Sequence, residues 1–168
     1  LSLTFDIKIG LHEVRAEIPP MVFHSFRAIR LEAHGQSSDR NHGNPSSSTF
    51  FESDHATLNC LRQNVQATIR SCNLDTFVAK IVARDVFALE SNTPSYDLIF
   101  LDPPYDTIAE NLQRIFENAI NPIALAKART IVELPGNLEP KVKGWKILRR
   151  IGKAGKDKPT ALIYERSS

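Results

Sequence analysis

Tyr96-Asp97-Leu98-Ile99-Phe100-Leu101-Asp102-Pro103-Pro104-Tyr105 is the stretch around which the rest of the chain is organised. Its first half is a nearly continuous apolar run, the composition of a strand buried on both faces inside a parallel sheet covered by helices. Its second half forces that strand to stop. Neither proline can donate a ladder hydrogen bond, and each holds the residue before it in extended geometry, so Asp102-Pro103-Pro104-Tyr105 predicts a rigid turn. The turn carries one carboxylate, backbone carbonyls and one aromatic ring, and ligands of open α/β sheets bind at the carboxyl ends of strands. A planar ring with an exocyclic amino group could stack on Tyr105 while the Asp102 side chain and the Pro103 carbonyl hold its N–H groups. Such bonds would aim the nitrogen lone pair at an electrophile, with Asp102 placed to accept the released proton. The plain alternative is a strand-terminating turn, because Asp-Pro is common in turns.

Downstream, Ile108, Leu112, Ile115, Phe116, Ala119 and Ile120 form one apolar stripe of a helix that Pro122 stops or bends. Thr130-Ile131-Val132-Glu133-Leu134 reads as another buried strand, closed by Pro135-Gly136. Two alternating segments, Trp145–Ile151 and Thr160–Glu165, flank a Gly- and Lys-rich loop and predict a hairpin. Between Lys141 and Lys158 eight cations face one acid, Asp157. Such a face attracts a phosphate backbone, although cations on an edge hairpin also keep an edge strand soluble. Trp145 is read as a packing residue.

Upstream, Thr49-Phe50-Phe51-Glu52 predicts a short strand ending in an acid. Ser53 and Asp54 follow as helix-capping residues, and Leu58, Leu61, Val65 and Ile69 recur at helical spacing. A strand ending in Glu directly before a helix is where Rossmann-like folds set a carboxylate on a ribose diol. Phe77–Val82 predicts the next strand, and it leads to Asp85, whose plain reading is a helix N-cap. Leu3–Ile9 alternates like a half-exposed strand ended by Gly10, whereas Met21–Leu31 fits a short helix or a strand equally well. From Ala33 to Ser48 the chain is polar and aperiodic and predicts a long loop. His34 and His42 within it read as solvated, having no Cys or acidic cluster at ligand spacing.

With 168 residues the chain predicts one domain; 42% hydrophobic and 24% charged residues are ordinary for a soluble globular protein. No apolar run approaches the roughly 20 residues of a membrane span, and no basic-then-apolar leader follows Leu1, so no signal peptide is expected. A net charge of +2 does not by itself argue for nucleic acid. Cys60, expected at the core or its boundary, and Cys72, expected at a helix end, lack a CxxC or His partner, so no metal and no disulfide are expected.

Leu101-Asp102-Pro103-Pro104-Tyr105 behind a buried strand resembles motif IV of the amino-group S-adenosylmethionine-dependent methyltransferases. Within these the chain most resembles the RsmD family, the 16S rRNA guanine-N2 methyltransferases of bacteria and organelles, with similar residues from about Ser47 to Arg166. The resemblance implies a Rossmann-like class I methyltransferase fold. That is an α/β domain over residues 1–168 with a mostly parallel seven-stranded sheet, a C-terminal antiparallel hairpin and helices on both faces, its first 46 residues being atypical. It implies S-adenosylmethionine as cofactor, with Glu52 and Ser53 at the ribose and Asp85 and Val86 at the adenine. Asp102, Pro103, Pro104 and Tyr105 would be catalytic, with the target base flipped onto Tyr105. Lys146, Arg149, Arg150, Lys153 and Lys156 would meet the nucleic acid. The implied partner is rRNA or an assembling small ribosomal subunit, acted on by a monomer in the cytoplasm or in an organelle with bacterial-type ribosomes. Two other readings use the same residues: a DNA adenine-N6 methyltransferase, whose separate target-recognition region is not apparent, and an inactive RNA-binding relic.

One departure stands out. The family carries Asp-x-x-x-Gly-x-Gly after its first parallel strand, and by spacing from Glu52 it belongs near residues 28–35. The chain reads Ala28-Ile29-Arg30-Leu31-Glu32-Ala33-His34-Gly35-Gln36-Ser37 there. Three explanations stay open: a displaced or wrongly joined segment ahead of Ser47, a divergent cofactor site, or a nucleic-acid-binding module without catalysis.

Overall fold

The computed structural model describes residues 3–9, 12–18, 26–31, 45–72, 79–88, 96–102, 105–153, 155 and 158–167. Among the described residues, nine strands and two α-helices follow in chain order: β1 (Leu3–Ile9), β2 (His12–Ile18), β3 (Phe26–Leu31), β4 (Pro45–Glu52), α1 (His55–Cys72), β5 (Ala79–Ala83), β6 (Tyr96–Leu101), α2 (Tyr105–Ile115), β7 (Ala124–Pro135), β8 (Trp145–Ile151) and β9 (Pro159–Arg166). A 3-10 turn, Val86–Ala88, follows β5, and a π-helical turn, Phe116–Ile120, extends α2. β1 and β2 pair as a separate antiparallel hairpin. The other strands form one sheet in the order β5-β4-β3-β6-β7-β9-β8.

Strand direction corrects the expected topology. β4 runs parallel to β5 and β6 runs parallel to β7, while β9 lies antiparallel between β7 and β8. β3 fills the central slot between β4 and β6 but runs antiparallel to both. Only one reversed strand was expected, the one inside the C-terminal hairpin; the sheet has two. Side-chain alternation fixes a strand without fixing its direction, and Phe26 pairs antiparallel with Phe51 on one side and with Leu101 on the other. Met21–Leu31, open between helix and strand, thus contains a strand. The predicted loop Ala33–Ser48 is overturned at its end, because Pro45–Ser48 already belongs to β4; residues 32–44 lie outside the described residues.

The main hydrophobic cluster lies on the face of the sheet under α2, and Leu98, Phe100, Ile131 and Ile163 are buried on the other face. Ile108, Leu112, Ile115, Phe116 and Ile120 pack with Ile99, Leu101, Val132, Leu134, Leu162 and Tyr164. The stripe read in the sequence is therefore the packed one. At its end the helix widens into the π turn, where Asn121 N–H donates to the Phe116 carbonyl at 2.8 Å. Phe116 then meets Trp145 and Tyr164 edge-on, with centroids 5.0 and 5.3 Å away. Trp145 is buried and donates through Nε1 to Asn121 Oδ1 at 2.9 Å, as a packing residue should. In α1 Leu58 is buried and Leu61, Val65 and Ile69 are half-buried. Cys60 is exposed, not at the core boundary, because it points off that stripe.

Candidate active site

β4, β5, β6 and β7 all point the same way, so their carboxyl ends share one edge of the sheet. The pairings Glu52↔Ala83 and Leu101↔Val132 set those ends level with one another. Across that edge stand, in spatial order, Asp85 after β5, Glu52 at the end of β4, the start of β3, Asp102 after β6 and Glu133 on β7. At about 4.8 Å between neighbouring strands, Asp85 and Asp102 end strands roughly 14 Å apart.

Glu52 is buried, at 6% exposure. Its Oε1 accepts the Asp54 N–H at 2.8 Å, while its Oε2 has no hydrogen-bond partner among the described residues. A buried carboxylate oxygen is costly to leave unsatisfied, and two vicinal hydroxyls would satisfy it. The expected ribose-binding residue therefore has the free acceptor that role needs. Ser53 is exposed at the start of the turn, and it is Asp54 that caps α1, accepting from Thr57 N–H at 2.7 Å and Thr57 Oγ1 at 2.8 Å. The Thr57 backbone hydrogen bond holds the Asp54 carboxyl below the usual carboxylate range. Asp85 is exposed and accepts the Phe87 N–H at 2.9 Å, which caps the 3-10 turn that includes Val86. The other end of a cofactor is less well served. Phe26 pairs with both Phe51 and Leu101, so this edge meets the beginning of β3 where the resemblance implied the end of a parallel strand and a glycine loop.

Asp102 is half-buried; burial first, and the nearby Glu133 charge second, push its carboxyl up to about 7. Tyr105 opens α2 and is 41% exposed, and its hydroxyl donates to Glu133 Oε1 at 2.8 Å. Burial and that hydrogen bond push the phenol well above its ordinary value. Pro103 and Pro104 lie outside the described residues. The structure thus brings Asp102 and Tyr105 together and adds Glu133, which sequence reasoning missed. The available signal was an acid interrupting the apolar run Ile131–Leu134.

The basic hairpin splits by role. Arg150 is internal: it donates to the carbonyls of Gly136 (3.3 Å) and Leu138 (2.7 Å), to Thr160 Oγ1 (3.0 Å) and to Glu139 Oε2 (3.0 Å). It is thereby corrected from a free cation to a tie between β8 and the turn after β7. Lys146 is exposed but pairs with Glu165 Oε1 at 2.7 Å. Arg149 and Lys153 are exposed, and Lys156 lies outside the described residues. Pro159 pairs with Pro135, so the loop between β8 and β9 sits at the same edge as Asp102. It is docked there: Gly136 N–H donates to the Lys158 carbonyl at 2.8 Å, and a Cβ on Gly136 would lie 2.6 Å from the Lys153 carbonyl oxygen.

Among the described residues no group of three His, Cys, Asp or Glu could hold a metal ion, and no helix is long and apolar enough to cross a membrane.

Against known families, residues 44–158 match the model described as conserved hypothetical protein 95, an RsmD-like family. The chain belongs to this family. The conserved hypothetical protein 95 match begins one residue before β4 and ends one residue before β9, so it leaves out β1, β2, the inverted β3 and β9. Solved structures share the fold. HI0767 of Haemophilus influenzae, a provisional methylase, superposes with a TM-score of 0.53 at 21% identity over 74% of each chain. The provisional methyltransferase yhhF of Escherichia coli gives 0.54 at 24% identity over 73% of this chain and 64% of its own. SMU.776, also a provisional methyltransferase, gives 0.53 at 13% identity over 70% and 38%; it was solved with S-adenosylhomocysteine, the product form of the cofactor expected from the sequence. No curated protein matches by sequence.

Proposed function

We propose that this member of the conserved hypothetical protein 95 family transfers a methyl group from S-adenosylmethionine to the exocyclic N2 amino group of a guanine in small-subunit rRNA. The observation that carries the reading is the pairing of Asp102 and Tyr105 at the end of β6: a half-buried carboxyl beside an aromatic residue anchored at its hydroxyl and 41% exposed. When bound, S-adenosylmethionine supplies an electrophilic methyl on a sulfonium. Tyr105 offers its ring face to the flipped base. Asp102 accepts a hydrogen bond from the amino group, which aims the lone pair, and takes the proton that the nitrogen sheds once it has gained a fourth bond. A carboxyl pushed up to about 7 suits that task near neutral pH. The Pro103 carbonyl and Pro104 complete the turn in this proposal. Glu52 and Ser53 hold the ribose, Asp85 and the Val86 backbone face the adenine, and Arg149, Lys153 and Lys156, with Lys146, lead the phosphate backbone toward the edge. The working form is a monomer acting on rRNA or an assembling subunit, wherever bacterial-type ribosomes are built.

The test is calorimetric titration with S-adenosylhomocysteine, followed by methyl transfer to 16S-type rRNA and to small subunits. Micromolar binding that a Glu52→Ala, Asp85→Ala variant loses, and turnover that Asp102→Ala abolishes, are expected. A folded chain that binds no S-adenosylhomocysteine would refute the active enzyme. The inverted β3 favours that second outcome's reading, an RNA-binding relic, which retained rRNA binding without cofactor affinity would identify.

A further inference from the structure

Glu133 stands one residue beyond Val132, whose partner in the parallel ladder is Leu101, so it neighbours Asp102 at the ends of β7 and β6. Placing two carboxylates side by side is unfavourable for the fold alone, and an amide at position 133 could accept the Tyr105 hydroxyl without that repulsion. The hydroxyl bond has its own consequence. Tyr105 stands at the first position of a helix with 41% of its surface exposed, and a charge-assisted bond of 2.8 Å holds the ring at its far end. The ring is close enough for Asp102 and Glu133 both to act on its phenol.

We propose that Glu133 is a positioning residue of the methyl transfer, clamping the Tyr105 hydroxyl so that the ring stays beside Asp102 as a ready stacking platform for the target base. This rests on the methyltransferase reading above. It assigns Glu133 no contact with the base or the cofactor. Its work is done before the base arrives, by removing the freedom of the exposed ring beside Asp102.

Two measurements test it. Steady-state methylation of rRNA by Tyr105→Phe, Glu133→Ala and the double variant should show kcat losses of about tenfold to a hundredfold for each, unchanged KM for S-adenosylmethionine, and a double variant no worse than either single one. Glu133→Gln, which keeps an acceptor for the hydroxyl, should recover most of the loss. Separately, carbon NMR of ring-labelled tyrosine at neutral pH, with Tyr105 assigned by its disappearance in Tyr105→Phe, should show the Tyr105 ring signals shifted and averaged in Glu133→Ala relative to the wild type. Additive losses, or Tyr105 ring signals that Glu133→Ala does not move in a chain that binds S-adenosylhomocysteine, would overturn the clamp alone. Absence of S-adenosylhomocysteine binding by the wild type would overturn the methyltransferase reading and the role of Glu133 within it.

Discussion

Replacing Asp102 by Asn should stabilise the protein, and only above a definite pH. The folded chain holds the Asp102 carboxyl near 7 instead of 3.8, through burial and then the Glu133 charge. Because the folded value is raised, the folded chain binds more protons than the unfolded one between these limits, and stability falls as pH rises through that window. Below about pH 4 both states are protonated and Asn mimics the neutral acid, so wild type and variant should be alike. Above about pH 8 the wild type carries the full cost of an ionised carboxylate that is partly shielded from water. The gap would be about 4 kcal/mol at most, and solvent access to a half-buried group reduces this to roughly 2 kcal/mol. Urea unfolding at pH 4.5, 6 and 8 reads it directly. With a urea slope of about 2 kcal/mol/M for a chain of this size, the midpoint of Asp102→Asn should exceed that of the wild type by about 1 M at pH 8 and by little at pH 4.5. Equal midpoints at pH 8, or a gap independent of pH, would refute the raised carboxyl and with it the proton-accepting role.

Glu52→Gln should weaken S-adenosylhomocysteine binding about tenfold or more, roughly 1.4 kcal/mol, while leaving the urea midpoint unchanged or higher, since it removes a buried charge with an unsatisfied oxygen. Calorimetry beside urea unfolding checks both halves. Gly136→Ala should cost about 1–3 kcal/mol, because its Cβ meets the backbone of the β8–β9 loop at 2.6 Å and that loop must move; a thermal melt shows it. Arg150→Met should lose roughly 2 kcal/mol of stability, having broken bonds to Gly136, Leu138 and Thr160. By contrast Arg149→Met should leave the melt in place and weaken rRNA binding with a smaller salt slope.

The site was legible where a local motif carries it. Asp102-Pro103-Pro104-Tyr105 ends a strand by its own covalent chemistry, and the periodicity of Ile108–Ile120 points that helix at the sheet, so the placement of Asp102 and Tyr105 follows without knowledge of partners. Glu133 could not be weighed this way, since its meaning comes from the register that sets it beside Asp102, 31 positions earlier. Arg150 was hidden among cations of the same type; charge counting does not tell which guanidinium turns inward, and only the bulge at Leu148, where the β8 register shifts against β9, brings Arg150 onto the face of Leu162. The direction of β3 was out of reach as well. Alternation of side chains reads the same from either end, so the six residues Phe26–Leu31 specify a strand without specifying which way it runs.

That reversed strand also bears on the edges of the sheet. β3 hydrogen-bonds on both sides, to β4 and to β6, and each of those strands would otherwise face the gap as a raw sheet edge. Exposed edges of this kind recruit strands from other chains and seed aggregation. The segment ahead of the family match therefore serves as a plug: whatever direction it takes and whatever chemistry it forgoes, it closes two open edges at once. Removing the residues ahead of β4 would leave a sheet split between β4 and β6, with both margins available to the next copy.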